Sequence, residues 1–321
     1  MCIRDSLNAP AAPQVRATEG VGEAGATDSS GGTPGAGSDE LLLGPAAFSR
    51  STGALTRLGG LPVDDLRLVL WRAPTDNDYG VDWWGNPEDR TLAQRWVDAG
   101  LNRLHSRLIG ITAVPAPDGG EALEIRTRVG IADKQYGVFV DYTWTSDGER
   151  LSLRTRVRPD GDWRDKGRDV PWARIGLELV LGAGPRHVDW FGQGPHQAYP
   201  DTGQGTRKGW YSLPAAEMAV DYVRPQESGA RAAVHSATLQ LDAGDLAISG
   251  EPFALTLMPY GQATLDAAKH QPDLVPDGRT HVYLDHVQRG VGTGACGPGV
   301  LDAYRIAQRE ADFTLVFEAK G

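Results

Sequence analysis

Polar chemistry in this chain concentrates where apolar strands stop. After an apolar run, the residues Trp71 to Gly80 (WRAPTDNDYG) gather Arg72, Asp76, Asn77 and Asp78 around Pro74. Carboxylate and carboxamide side chains at such an exit cap free backbone N–H groups and tolerate unusual dihedrals, so composition by itself reads as a well-capped loop. A second cluster, Trp190 to Thr202 (WFGQGPHQAYPDT), holds Gly192, Gly194, Pro195 and Pro200. It specifies a tightly folded crossover that aims His196, Tyr199 and Asp201, with a structural turn as the simpler reading. A third, Tyr222 to Arg231 (YVRPQESGAR), sets Glu227 four residues before Arg231, a spacing suited to an ion pair on a bent strand. The fourth, His281 to Tyr304, runs from HVYLDHVQRG into a loop with Gly290, Gly292, Gly294, Gly297 and Gly299, and carries Cys296. That loop is not a dinucleotide fingerprint, because no strand–loop–helix unit encloses it.

Several chemistries are excluded. The seven histidines are scattered. His281 and His286 are an odd number of residues apart on an extended strand, hence on opposite faces, and His187 with Asp189 lacks a partner set. No metal site and no cofactor is expected. A retaining glycosidase needs two carboxylates roughly 5 to 5.5 Å apart, and no alternating βα pattern is present to carry them on a barrel. Net charge is −10 and the pI about 5.2. Nucleic acid and anionic membranes both require concentrated Lys and Arg, so neither is expected as a partner. No apolar run is long enough to span a bilayer. Cys2 and Cys296 are too few and too far apart for a disulfide framework, which points to a reducing, cytoplasmic compartment. Nine tryptophans offer either core packing or platforms for sugar rings.

The elements that must position these residues are mostly strands. MCIRDS reads poorly as natural protein sequence. Residues 7 to 39 are rich in Ala, Gly, Pro, Ser and Thr and hold almost no large apolar side chain, so residues 1–40 are expected to be a disordered tail or linker. From Leu41 to Gly60 the pattern is a strand, a Ser-Thr-Gly turn and a second strand. TLAQRWVDAG, Thr91 to Gly100, predicts a helix with Leu92, Trp96 and Val97 on one face. Alternating apolar and polar runs then recur, as in EALEIRTRVGI, YGVFVDYTWTS, ERLSLRTRVRP and ARIGLELVLG. Turn signals at Pro117–Gly120 and Ser146–Gly148 separate them. Later strands fall at His235–Leu241, Pro252–Met258, His281–Val287 and Asp312–Glu318. Regular strands with one helix predict an all-β, antiparallel sandwich over residues 41–321.

The four polar segments, taken in order, resemble the C-terminal, small-chain domain of glycoside hydrolase family 2 β-galactosidases. WRAPTDNDYG looks like the signature that opens that domain. Trp190, Gly192, Gly194, Pro195, Tyr199, Pro200 and Asp201 match its second pattern, and Tyr222, Pro225, Glu227, Gly229 and Arg231 its third. The resemblance implies an antiparallel β-supersandwich of the galactose-mutarotase type. It implies that the loop from Gly80 to Pro87, with Trp83 and Trp84, lies near the mouth of a sugar cleft. It also implies that the loop holding Gly294 and Cys296 reaches toward that cleft, with Cys296 where some members place a sugar-stacking Trp. In the family both catalytic Glu, and most of the Mg and Na sites, belong to other parts of the enzyme. The chain alone is therefore expected to hydrolyse nothing, to need the catalytic barrel or large chain as partner, and to act on β-galactosides within an oligomer. Two other readings stand beside this one. A mutarotase would pair His196 or His286 with Glu227, and a free carbohydrate-binding module would use Trp83, Trp84 and Trp190 as platforms.

Overall fold

The structure, a computed structural model, describes residues 39–80, 90–116, 120–165, 168–292 and 299–320. The expected N-terminal tail, the Pro117–Gly119 part of one turn, Trp83, Trp84, Gly294 and Cys296 lie outside the described residues.

Four strands open the chain: β1 (Glu40–Leu43), β2 (Ala46–Ser49), β3 (Leu55–Leu58) and β4 (Leu61–Val69). The sequence reads as two strands up to Gly60, but Gly44 and Pro45 break the first apolar run into a hairpin, with Leu43 opposite Ala46. The single predicted helix is α1 (Leu92–Asp98). Thr91 caps it, its Oγ1 accepting from the Gln94 N–H while the Gln94 side chain accepts from the Thr91 N–H. Ala93 and Trp96 form its buried face, and Val97 is 45% exposed. The expected Leu92–Trp96–Val97 face is thus rotated toward Ala93, because the Trp96 indole N–H reaches inward to the Pro171 carbonyl at 2.8 Å.

The remaining strands are β5 (His105–Pro115), β6 (Glu121–Gly130), β7 (Gly137–Ser146), β8 (Arg150–Asp160), the small hairpin β9 (Arg164–Asp165) and β10 (Arg168–Asp169), β11 (Arg174–Leu181), β12 (His187–Gly194), β13 (Arg207–Pro214), β14 (Arg231–Leu241), β15 (Gly244–Met258), β16 (Thr280–Gln288) and β17 (Ala311–Lys320). A short helix, α2 (Gln262–Ala267), precedes β16. The fold is all-β, and every strand pairing is antiparallel. Among the described residues no helix is long and apolar enough to cross a membrane.

The main sheet runs β1-β2-β3-β4-β11-β16-β15-β17-β8-β7-β6-β5, with β14, β12 and β13 branching from β15. β15 belongs to both layers. Asp245 to Gly250 pairs with β17, and Ala254 to Met258 pairs with β16. At the changeover Gly250 has φ +146°, and a Cβ there would stand 2.4 Å from the Thr314 carbonyl oxygen. Only glycine fits such a crossing. Between the layers, Trp144 of β7 packs on Phe48 of β2 at 5.2 Å and on Phe317 of β17 at 6.3 Å between centroids.

β6, β7 and β8 alternate as predicted, because one face meets the core and the other meets water. β11 does not alternate: all eight residues are buried. Its second face is covered by loops, and that face is charged. Glu178 of β11 lies opposite Arg67 of β4 and Tyr283 of β16. It accepts from Arg67 Nη2 at 2.6 Å, from the Tyr283 hydroxyl at 2.8 Å and from His281 Nδ1 at 2.8 Å. His281 reaches Asp277 with its other nitrogen at 3.0 Å, which ties the segment after α2 to the sheet. His286, by contrast, stacks on Phe313 at 4.9 Å.

Burial by itself would raise the Glu178 carboxyl, but hydrogen bonds from His281 and Tyr283 and the Arg67 charge pull it down to about 2. Burial likewise opposes the His281 charge, and its two carboxylate partners nevertheless raise its pKa. The Glu178 contribution to stability is present above the ordinary carboxylate value and lost as pH falls toward 2. The His281 contribution is present below the ordinary imidazole value of 6.5 and lost as pH rises through the raised one. Glu178→Gln should therefore destabilise most between these two limits, with the difference from wild type narrowing at both pH extremes in urea titrations. Gly250→Ala should cost about 2 kcal/mol or more by the same measurement, from strain at positive φ and the clash with Thr314.

Candidate functional site: a polar cleft where four segments meet

Asp78 organises the first segment. Residues Asp76–Tyr79 form a 3-10 turn behind Thr75. Asp78 Oδ2 accepts from the Thr75 N–H at 2.8 Å, the Thr75 hydroxyl at 2.9 Å and Arg72 Nη1 at 2.7 Å. Arg72 is fully buried, lies over the Trp96 ring at 5.3 Å, and also donates to the Ala73 and Gly290 carbonyls. The motif is thus a folded knot whose charged core faces the protein, and it presents Asp76 and Asn77 outward.

Those two side chains engage the other segments. Asn77 Nδ2 donates to the Val291 carbonyl at 2.9 Å. Asp201, from the second segment, accepts from the backbone N–H groups of Val291 at 3.0 Å and Gly292 at 2.8 Å. Both contacts explain the glycines at the base of the Gly-rich loop. A Cβ on Gly290 would lie 2.5 Å from Asp201 Cγ, and one on Gly292, at φ +133°, would lie 1.9 Å from Asn77 Nδ2. Asp76 accepts from Arg224 Nη1 at 3.0 Å and Gln226 Nε2 at 3.3 Å, so the third segment closes the opposite side.

Between them is a cleft of about 490 Å³, within the size range of small-molecule sites. Each segment supplies part of its wall: Asp76 and Asn77 from the first, Gln197 and Tyr199 from the second, Gln226 and Glu227 from the third, Gly292 from the fourth. Amide, hydroxyl and carboxylate groups line it beside the Val291 and tyrosine side chains, so it offers hydrogen bonds and apolar contact together.

Glu227 forms the floor. Its Oε2 accepts from Arg174 Nη2 at 2.7 Å and Gln262 Nε2 at 3.0 Å, and its Oε1 accepts from the Tyr199 hydroxyl at 3.3 Å and Gln288 Nε2 at 3.4 Å. The expected Glu227–Arg231 ion pair does not form. Arg231 donates instead to the Gly229 carbonyl at 2.7 Å and the Met218 carbonyl at 3.3 Å, and lies 5.4 Å over the Trp190 ring. A bulge in β14 between Arg231 and Val234 accompanies this turn, while Glu227 points toward Arg174 of β11. Arg174 also stands 3.4 Å from Asp285. One guanidinium between two buried carboxylates leaves the second under-compensated. Burial, eased only partly by Arg174, pushes Asp285 up to about 7. Asp285 does not line the cleft.

Other predicted residues fall elsewhere. His196 is exposed on the crossover and has no hydrogen bond to Glu227. With His286 stacked on Phe313, no histidine is placed to act with Glu227, and the mutarotase constellation is not assembled. Trp190 is fully buried and offers no platform; its N–H donates to the Gln193 carbonyl and its ring packs on Tyr211. Gly80 closes the 3-10 turn through its N–H to the Asn77 carbonyl at 3.2 Å. Trp83, Trp84, Gly294 and Cys296 fall in the two stretches outside the described residues, at 81–89 and 293–298. Among the described residues no three His, Cys, Asp or Glu side chains gather as a metal site. Sequence reading missed Arg174, Gln262 and Gln288. Arg174 carried a usable signal, a cation opening a strand whose only other charged residue is Glu178; the two glutamines carried none.

The Arg72–Asp78 pair is buried at both ends. Asp78→Ala leaves an uncompensated buried guanidinium and should destabilise the chain by about 3 to 5 kcal/mol in denaturant titration.

The family described as Beta galactosidase small chain matches residues 45–317. The β-galactosidase of Arthrobacter sp. strain B7 is 34% identical over 287 residues, which is 84% of this chain and 27% of that protein. The β-galactosidase of Kluyveromyces lactis is 30% identical over 259 residues, 78% of this chain and 23% of that protein. This chain therefore spans about a quarter of the length of these relatives. Among solved structures, an Escherichia coli K12 protein assigned as an aldose 1-epimerase covers 88% of this chain and 98% of its own, at 10% identity and a TM-score of 0.43. On the family match and the identity to these relatives, the chain belongs to the β-galactosidase small-chain family.

Proposed function

We propose that this chain is the C-terminal part of a cytoplasmic β-galactosidase that removes terminal β-D-galactose from lactose-type substrates. In this reading it completes the sugar cleft and leaves bond cleavage to a catalytic barrel in the remainder of the enzyme, where the Mg and Na ions also sit. The observation that carries the reading is the convergence of all four family segments on one polar cleft, with Asp201 and Asn77 gripping the base of the Gly-rich loop.

The chemistry divides accordingly. The charged groups of the knot, Arg72 and Asp78, are consumed internally, and Glu227 has both oxygens occupied. None is free to act as nucleophile or proton donor in glycoside cleavage. What the chain supplies is position. Two N–H groups held by one carboxylate, together with the Asn77 bond, fix where the 293–298 loop begins. Gly80 fixes where the 81–89 loop leaves. Gly292 stands in the wall of the cleft, and a fixed wall serves a reacting sugar by holding its position. In this reading Trp83, Trp84, Gly294 and Cys296 contact the sugar, as the family resemblance implies.

The test is to join the chain to the polypeptide encoded upstream of it and assay cleavage of a chromogenic β-galactoside. The chain alone should show none, and the joined protein should be active. Asp201→Ala in the joined protein should lower kcat/KM by roughly ten- to a hundredfold, because a loop root misplaced by an ångström weakens substrate positioning. Cleavage by the isolated chain, or an inactive joined protein that is folded, would overturn the reading.

A further inference from the structure

β13 is the outermost strand of the branch that leaves β15 through β14 and β12, and it pairs with β12 alone. Its side chains alternate between two faces. Tyr211 turns inward, and its ring packs on Trp190 at 5.4 Å between centroids. Lys208, Trp210 and Ser212 therefore share the outer face, where all three are exposed. Trp210 is 73% exposed, whereas every other tryptophan among the described residues is buried. None of the three lines the cleft of the four segments.

Trp210 is exposed but held in place. It lies directly opposite Phe191 of β12, with ring centroids 5.0 Å and planes 34° apart. Phe191 is held in turn by Lys208, whose Nζ stands 5.2 Å over its ring, and by His235 of β14 at 5.8 Å between centroids. Lys208 Nζ also donates to His235 Nε2 at 2.8 Å. The register of β14 shifts between Val234 and Ser236, and such a bulge re-aims the side chain it carries, here His235. Beside this aromatic row runs a polar one. Ser212 is opposite Asp189, which accepts from Gln240 Nε2 at 2.7 Å. Cross-strand packing accounts for Phe191 and His235. It does not account for an indole that keeps most of its surface in water while a second ring backs it and polar groups border it.

We propose that Trp210 is a surface platform for a pyranose ring, and that its ligand is a galactosyl-bearing glycan bound outside the cleft. The platform follows from the geometry, and the choice of galactose rests on the reading of this chain as part of a β-galactosidase. A pyranose has a face of C–H groups and a rim of hydroxyls. The C–H face suits the exposed indole. The rim meets the Ser212 hydroxyl and the Lys208 ammonium, which has three N–H donors and spends one on His235. Phe191 already holds the indole, so binding freezes little side-chain motion. Other partners fit the face less well. The apolar strip is narrow and bordered by Lys208 and Asp189. The core of a protein interface is depleted of Lys and Asp, and a stable one covers roughly 800 Å² per partner. Lys208 by itself, on a chain of net charge −10, does not hold a phosphate backbone.

Affinity electrophoresis of the chain in gels containing soluble β-galactan, with dextran gels as the control, tests this. Galactan should retard the wild-type chain and dextran should not. Trp210→Ala should weaken binding to galactan by about tenfold or more, and Trp210→Phe should retain part of it. Trp210 stands mostly in water, so neither variant should move the urea midpoint appreciably. Retardation of Trp210→Ala equal to wild type, as binding in the cleft alone would give, overturns the proposal. So does a wild-type chain that galactan does not retard, or that dextran retards equally. A concentration-dependent dimer in sedimentation that Trp210→Ala abolishes would assign the face to a second copy instead. Cleavage of a small chromogenic β-galactoside by the chain joined to its upstream polypeptide separates the two ideas. Absent cleavage with Trp210-dependent retardation defeats the β-galactosidase reading and leaves the platform, whereas cleavage with retardation independent of Trp210 defeats the platform alone.

Discussion

Arg174 is fully buried between two carboxylates, 2.7 Å from Glu227 and 3.4 Å from Asp285, and much of the cleft hangs on that placement. A strand pair buried on both faces can carry charge only if each charge meets a partner. β11 and β16 carry a line of such charges, so the loops above them are drawn into fixed positions. Glu227 brings in the third segment, Gln262 brings in α2, and Tyr199 brings in the second segment. The cleft floor gathers around the carboxylate that pairs with this guanidinium.

The same requirement acts at a second level on the first segment. Asp78 collects three donors from Thr75 and Arg72, and Arg72 in turn reaches the Gly290 carbonyl. The knot is therefore bound to the base of the Gly-rich loop on one side and to Trp96 of α1 on the other. Asp201 completes the fixation from below by accepting two consecutive backbone N–H groups. Each glycine at the loop base exists because a side chain from another segment occupies the space its Cβ would take.

The far side of the molecule follows a different logic. There the two layers are joined through β15, which bends at Gly250 and gives one half to each. The layers are held together by large aromatic side chains such as Trp144 between Phe48 and Phe317. They part again between β4 and β5, leaving two strand edges open.

Sequence by itself determined the strand pattern of the layers and the family. Alternation in β6, β7 and β8 follows directly from one face meeting core and one meeting water, and the spacing of apolar residues in TLAQRWVDAG marks α1, although its buried face falls on Ala93 and Trp96. The four segments were legible because their Gly, Pro, Asp and Asn residues answer local backbone demands. Long-range pairing was decided only by the tertiary structure. Glu227 and Arg231 look like partners four residues apart, yet Glu227 joins an arginine 53 residues away, because the β14 bulge turns Arg231 toward Trp190. Trp190 looks like a platform and is buried, since the side a strand residue faces depends on what packs over the sheet. Nothing local in Gln262 or Gln288 foretells that their amides hold a carboxylate, because a buried charge finds its donors in space, after the chain has folded.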